Sequence, residues 1–127
     1  MKLNTFVTAL AFTVLGGVVA PVTASADGVT FVRGQFTSRV ERGQPAGDAS
    51  AAGRQIMYWM EIGNSGAPTQ VTLVWKVGGR AVTRQSLDVG RAPRWRTWGT
   101  FNNRSGDIAV EVLDAAGASL HTEQLTR

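Results

Sequence analysis

The chain has 127 residues, one histidine, no cysteine and a formal net charge of +4. Lack of cysteine excludes disulfide cross-links and thiolate metal sites, and a single histidine cannot furnish a usual zinc ligand set. Arginine carries most of the positive charge, but no basic run is dense enough to point to nucleic acid.

At the N-terminus, Lys2 precedes an apolar run from Phe6 to Ala20, Pro21 breaks it, and Ala24-Ser25-Ala26 follows. This grammar predicts a signal peptide over residues 1–26, cut before Asp27. The run is short for a membrane span and is interrupted by Gly16, Gly17 and Pro21. The expectation is therefore an exported protein, periplasmic or secreted, with no membrane span after cleavage. Residues 27–127 then form one domain of 101 residues, enough for a modest core. Loss of Lys2 leaves 12 basic and 9 acidic residues, a net charge of +3, and 11 of the 12 bases are arginine.

Seven strand-like segments follow. The first, Val29 to Val40, has Phe31, Val32, Phe36 and Val40 as apolar residues, with Gly34 as a candidate bulge. Glu41 to Gly53 is rich in Gly, Ala and Ser, contains Pro45 and lacks periodicity. It reads as a mobile loop over 41–54, with room for a short helical turn near Ala49 to Ala52. The second strand, Gln55 to Ile62, sets Ile56, Tyr58, Met60 and Ile62 against Met57, Trp59 and Glu61. Both faces are largely apolar, which predicts a central strand. Gly63 to Pro68 is a turn cluster.

The third and fourth strands, Gln70 to Val77 and Arg80 to Val89, flank Gly78-Gly79, a hairpin signal. A two-residue loop would put Arg84 opposite Leu73. A three-residue loop places Ala81, Thr83, Leu87 and Val89 on the face of Val71, Leu73, Trp75 and Val77, and is the expected form. The fifth strand is Arg91 to Phe101. Alternation puts Trp95, Thr97, Gly99 and Phe101 on one face and Arg94, Arg96, Trp98 and Thr100 on the other. The sixth strand, Asp107 to Leu113, and the last, Ala118 to Thr126, flank the turn Asp114–Gly117. Pairing across that turn sets Val112 opposite Leu120 and Glu111 opposite His121. The whole pattern predicts an all-β fold: an antiparallel β-sandwich of about seven strands and immunoglobulin-like size, with a small barrel as the alternative.

Several stretches carry a resemblance: the Phe36 region, Tyr58–Ile62 (YWMEI), the Trp75–Gly79 turn, the run Pro93-Arg94-Trp95-Arg96-Thr97-Trp98, and the ending Gly106…Val110-Glu111-Val112-Leu113-Asp114…Gly117…Leu120. In that order they resemble the bacterial domain-of-unknown-function family 2914 over nearly all of residues 27–127. The PRWRTW run is the most specific part. The resemblance implies no established activity and carries over no catalytic or binding residue. One departure is visible: Leu73-Val74 stand before Trp75 where the family pattern has a His-Arg pair.

Catalytic groups do not assemble in the sequence. His121 is expected on the solvent face with Glu111 and Glu123, as a charge pair rather than a base. Asp88, Asp107 and Asp114 lie in or beside turns, where aspartate bonds its own backbone, and no oxygen-rich calcium loop surrounds Asp107 or Asp114. Glu61, within an apolar strand, needs a partner such as Arg94 or Arg96. Trp75 and Trp95 are expected in the core. The face of Arg94, Arg96 and Trp98 remains, with Arg96 stacked on Trp98 and with Trp59, Met57 and Glu61 extending it if the second and fifth strands are neighbours. The competing reading is a face packed under the 41–53 loop. The functional expectation is a non-enzymatic exported module, without cofactor or metal, whose Arg/Trp face binds an envelope protein or a cell-wall or other anionic polymer. The alternatives are a glycan-acting envelope enzyme using Glu61 and a purely structural subunit.

Overall fold

A computed structural model describes residues 28–126 of the chain. The expected signal peptide, residues 1–26, lies outside the described residues. The elements are β1 (Val29–Thr37), β2 (Val40–Glu41), β3 (Gln44–Pro45), a 3-10 turn (Ala49–Ala51), β4 (Gln55–Asn64), β5 (Thr69–Val77), β6 (Arg80–Val89), β7 (Ala92–Asn102), β8 (Ile108–Leu113) and β9 (Ser119–Gln124). Every ladder is antiparallel. Among the described residues, no helix is long and apolar enough to cross a membrane.

The seven long strands split into two layers. One sheet has the order β1-β4-β7 and the other β9-β8-β5-β6, while β2 and β3 form a small separate hairpin. This is the expected antiparallel β-sandwich. The strand count per sheet is that of the immunoglobulin constant arrangement, but the fourth strand, β6, stays beside its hairpin partner β5 instead of joining the sheet of β1, β4 and β7. Period-two alternation supplies the core. Ile56, Tyr58, Met60 and Ile62 of β4 meet Val71, Leu73 and Trp75 of β5 and Ile108, Val110 and Val112 of β8, all at most 1% exposed. Trp75 stacks on Phe101 across the layers at 4.8 Å. Each such fully buried aliphatic or aromatic side chain contributes about 1.5–3 kcal/mol, which suits a chain with no cross-link.

Two polar side chains join the layers at their margins. The Trp75 indole N–H donates to Gln85 Oε1 at 3.0 Å, and Gln85 Nε2 donates to the Thr100 carbonyl at 2.7 Å. At the other margin the Tyr58 hydroxyl donates to Glu123 Oε1 at 2.7 Å.

Bulges alter the expected registers. The Gly78-Gly79 loop has two residues, since Val77 pairs with Arg80, and both glycines have positive φ as a type I′ turn requires. Parity changes further along, where Val82 is the extra residue between Ala81 and Thr83. Thr83, Leu87 and Val89 therefore reach the expected face, opposite Trp75, Val71 and Thr69, while Ala81 pairs with Lys76 and is exposed. In β9, Leu120 is the extra residue, so His121 pairs with Val112 and Thr122 with Glu111. In β1 the bulge falls at Val32, not at Gly34. Gly34 instead leaves room for Tyr58, whose hydroxyl an added Cβ would strike.

The stretch 41–54 contains most of the β2–β3 hairpin and, where a short helical turn is expected, a 3-10 turn at Ala49–Ala51, whose Asp48 cap accepts from Ser50 N–H at 2.9 Å. One further expectation changes. Trp95 has the inward parity expected of it, paired with Ile62, but is 37% exposed. It lies near the strand end, against Gly90, beyond the packed centre of the sandwich.

Candidate functional site

The outer face of the β1-β4-β7 sheet is built in cross-strand rows. Arg33 pairs with Glu61 and Glu61 with Arg96; Gln35 pairs with Trp59 and Trp59 with Trp98; Thr37 pairs with Met57 and Met57 with Thr100. The second and fifth predicted strands are thus neighbours, and the residues proposed from sequence share one surface. Side chains directly opposite across a ladder lie within contact distance.

Glu61 sits at the centre, 2% exposed. Arg33 Nε donates to its Oε1 at 2.8 Å, and Arg96 Nε lies 3.6 Å from Oε2. The hydrogen bond from Arg33 holds the carboxyl below the usual glutamate range; burial opposes this, and the charges of Arg33 and Arg94 and the contact with Arg96 reinforce it. The sequence expectation of an arginine partner holds, but the principal partner is Arg33. Its signal was available: Arg33, Gln35 and Thr37 alternate with Gly34 and Phe36. The bulge at Val32 hides it, since unbroken alternation from Phe31 would turn Arg33 inward.

Trp59 is fully buried. Arg33 stacks over its ring, with Cζ 5.0 Å from the centroid. Its indole N–H donates to the Gly43 carbonyl at 2.9 Å. Hence the β2–β3 hairpin covers Trp59, as the packed-face reading anticipated for part of the surface. The hairpin turns through Arg42 (φ 55) and Gly43 (φ 73), both left-handed. Arg96 supports it: with the Gln44 amide in the orientation that satisfies both groups, its oxygen accepts from Nη1 at 3.3 Å and Nη2 at 3.2 Å. At the hairpin's base, buried Thr37 donates through its hydroxyl to the Arg39 carbonyl at 2.9 Å and accepts from Gly47 N–H at 3.1 Å.

The rest of the face is open. Trp98 is 39% exposed, and the side chains of Arg33 and Arg96 are 57% and 44% exposed. Arg94 is also exposed. Arginine guanidiniums in this state offer planar donor forks to carboxylates or phosphates, beside an indole that can stack.

His121 lies elsewhere. It stacks on Phe31 at 4.0 Å and faces Glu123 Oε1 at 3.3 Å. The pairing with Glu111 expected from the turn does not form, because the Leu120 bulge shifts the register; Glu111 instead meets Lys76 at 3.0 Å. Asp114 bonds the N–H groups of Ala116 and Ala118 at 2.9 and 2.8 Å, a turn-forming role. Among the described residues no group of three His, Cys, Asp or Glu is placed to hold a metal ion.

No curated protein and no solved structure matches the chain. A family model does match, over residues 68–126. The match takes in the Trp75–Gly79 turn, the PRWRTW run on β7 and the β8–β9 ending, while the Phe36 region and the Tyr58–Ile62 strand stand outside it. Residues 68–126 match the model of the family described as "Protein of unknown function (DUF2914)", which supports assignment of this part of the chain to that family.

Proposed function

We propose that the chain is a non-enzymatic exported module that binds a carboxylate- or phosphate-bearing partner, an anionic cell-wall polymer or an acidic segment of an envelope protein, through the outer face of β1-β4-β7. One observation carries this reading: three guanidiniums, Arg33, Arg94 and Arg96, surround a single carboxylate. Glu61 fixes the arginines in place and offsets only one of their charges. The excess positive charge borders the half-exposed Trp98, so an anion can be met by forked donors while an apolar or ring portion stacks on the indole. Packing alone gives no reason to set these groups together on an open surface. The ionised, doubly partnered state of Glu61 suits an anchor for arginines better than a proton donor.

The test is co-sedimentation with purified cell-wall sacculi, with poly-glutamate in a parallel arm to separate wall polymer from acidic peptide. The Arg96→Ala/Trp98→Ala double variant is expected to lose at least tenfold in affinity for whichever probe binds, about 1.4 kcal/mol or more. Binding should also weaken as salt rises. Equal binding by a folded double variant would remove the site assignment.

A further inference from the structure

Trp95 takes no part in the arginine face. Its place in the ladder, opposite Ile62, sets it on the other side of β7 from Trp98. Its six-membered ring rests on Gly90: an added Cβ there would come within 2.5 Å of Trp95 Cζ3 and 3.0 Å of Cε3 and Cη2. The ring is therefore backed by main chain and still 37% exposed. It forms one wall of a cleft of about 550 Å³, completed by Pro68, Thr69, Gln70, Asp88 and the Val89–Gly90 backbone.

Two polar side chains of this cleft form a pair. Gln70 and Asp88 are directly opposite in the β5–β6 ladder, and Gln70 Nε2 donates to Asp88 Oδ1 at 3.0 Å. A carboxylate has acceptor capacity beyond one bond, and the amide keeps both a donor and an acceptor. No arginine or lysine lines the cleft, so its one formal charge is that of Asp88. An open indole beside an amide–carboxylate pair suits a ligand with one apolar ring face and several hydroxyls. The C–H face of a pyranose packs on the electron-rich face of the indole, and neighbouring hydroxyls donate to Asp88 and Gln70. An anion suited to the arginine face would be repelled here. The cleft volume lies in the range of small-ligand sites. We infer that the Trp95 cleft binds a ring of a neutral saccharide. This inference is independent of the partner proposed for the arginine face.

The experiment follows the indole N–H resonances of the chain by NMR, with Trp95→Phe and Trp98→Phe assigning the two exposed rings. The probes are cellohexaose and chitohexaose. The Trp95 resonance is expected to shift saturably with at least one of them, with a dissociation constant of about 1 mM or below, while Trp59 and Trp75 stay in place. Gly90→Ala provides a second variant that leaves the indole in the chain but lifts it off its support. Gly90 does not have the left-handed backbone that would forbid a side chain. This variant should fold and bind the oligosaccharide at least tenfold more weakly, whereas Arg96→Ala/Trp98→Ala should leave the Trp95 shift intact. No Trp95 shift with either probe at about ten times the expected dissociation constant, a shift confined to Trp98, or full binding by folded Gly90→Ala would each overturn the inference.

Discussion

At Glu61, a carboxyl that is 2% exposed stays ionised because guanidiniums replace the water it has lost. Arg33 contributes most and burial works against it, yet the net effect places its pKa below 4.5. A carboxyl depressed in the folded state stabilises the fold at any pH above its unfolded pKa. That contribution is lost as pH falls below about 4.5 and through the lower folded value. Replacing Glu61 with Gln keeps the shape and removes the charge. Arg33 and Arg96 both reach solvent, so the cost should be about 1–2 kcal/mol at neutral pH, below that of a fully buried ion left unpaired. The acid limb of stability against pH should also become shallower. Glu111, held low chiefly by the hydrogen bond from Lys76, supplies part of the slope that remains. Urea unfolding of both proteins from pH 7 down to pH 3 checks this. An unchanged acid limb in Glu61→Gln would show that the two arginines do not hold the carboxyl as described.

Among the elements, the β2–β3 hairpin is the one whose position depends on few contacts. It has two ladder pairs of its own and meets the sheet through the Trp59–Gly43 hydrogen bond, the Arg96–Gln44 contact and the Thr37 anchor. Trp59→Phe keeps an aromatic ring under the hairpin and deletes the donor to Gly43. The expected cost is about 1 kcal/mol, read as faster amide hydrogen exchange across residues 40–45 with exchange in β4 and β5 little changed. Uniform acceleration across the molecule would mean that Trp59 supports the whole sheet rather than the hairpin. The hairpin also marks how far the sequence could be read. Alternation gave the seven long strands and the central place of β4, because those follow from a period of two; the facing of Trp98 with Trp59 depended on β4 and β7 being neighbours, which the sheet order supplies. Alternation could not give the bulges at Val32, Val82 and Leu120. A bulge depends on which register buries most across two layers, and that sum is not local to any strand. Thus Leu120, turned inward to 5% exposure, carried His121 away from Glu111. Trp95 illustrates the other limit. Its facing followed from alternation, but its exposure depends on where β6 crosses over to β7 at Gly90.

Across the whole molecule, the two sheets are tied at one margin by Gln85 and at the other by Tyr58, Glu123, His121 and Phe31. Tyr58 is the sole tyrosine of the chain, so its phenolate absorbance is an uncluttered reporter of that margin. Burial chiefly, then the hydrogen bond to Glu123 and the nearby negative charge, raise its pKa far above 10.0. For a group raised in the folded state, the neutral hydroxyl is favoured by folding. Its stabilisation is complete below the unfolded pKa of about 10 and is lost as pH climbs beyond it. Tyrosinate should therefore appear only as the protein unfolds, and the absorbance transition should coincide with loss of β-sheet circular dichroism. Tyr58→Phe isolates the contribution of the phenol. This variant should be less stable at pH 7 by about 1–2 kcal/mol, because Glu123 loses a buried donor. Its stability should then decline less above pH 10 than that of the native chain. A tyrosinate signal rising near pH 10 with the sheet signal intact would show that the Tyr58–Glu123 margin opens without unfolding the rest. The two layers would then be held by the apolar core and Gln85 alone.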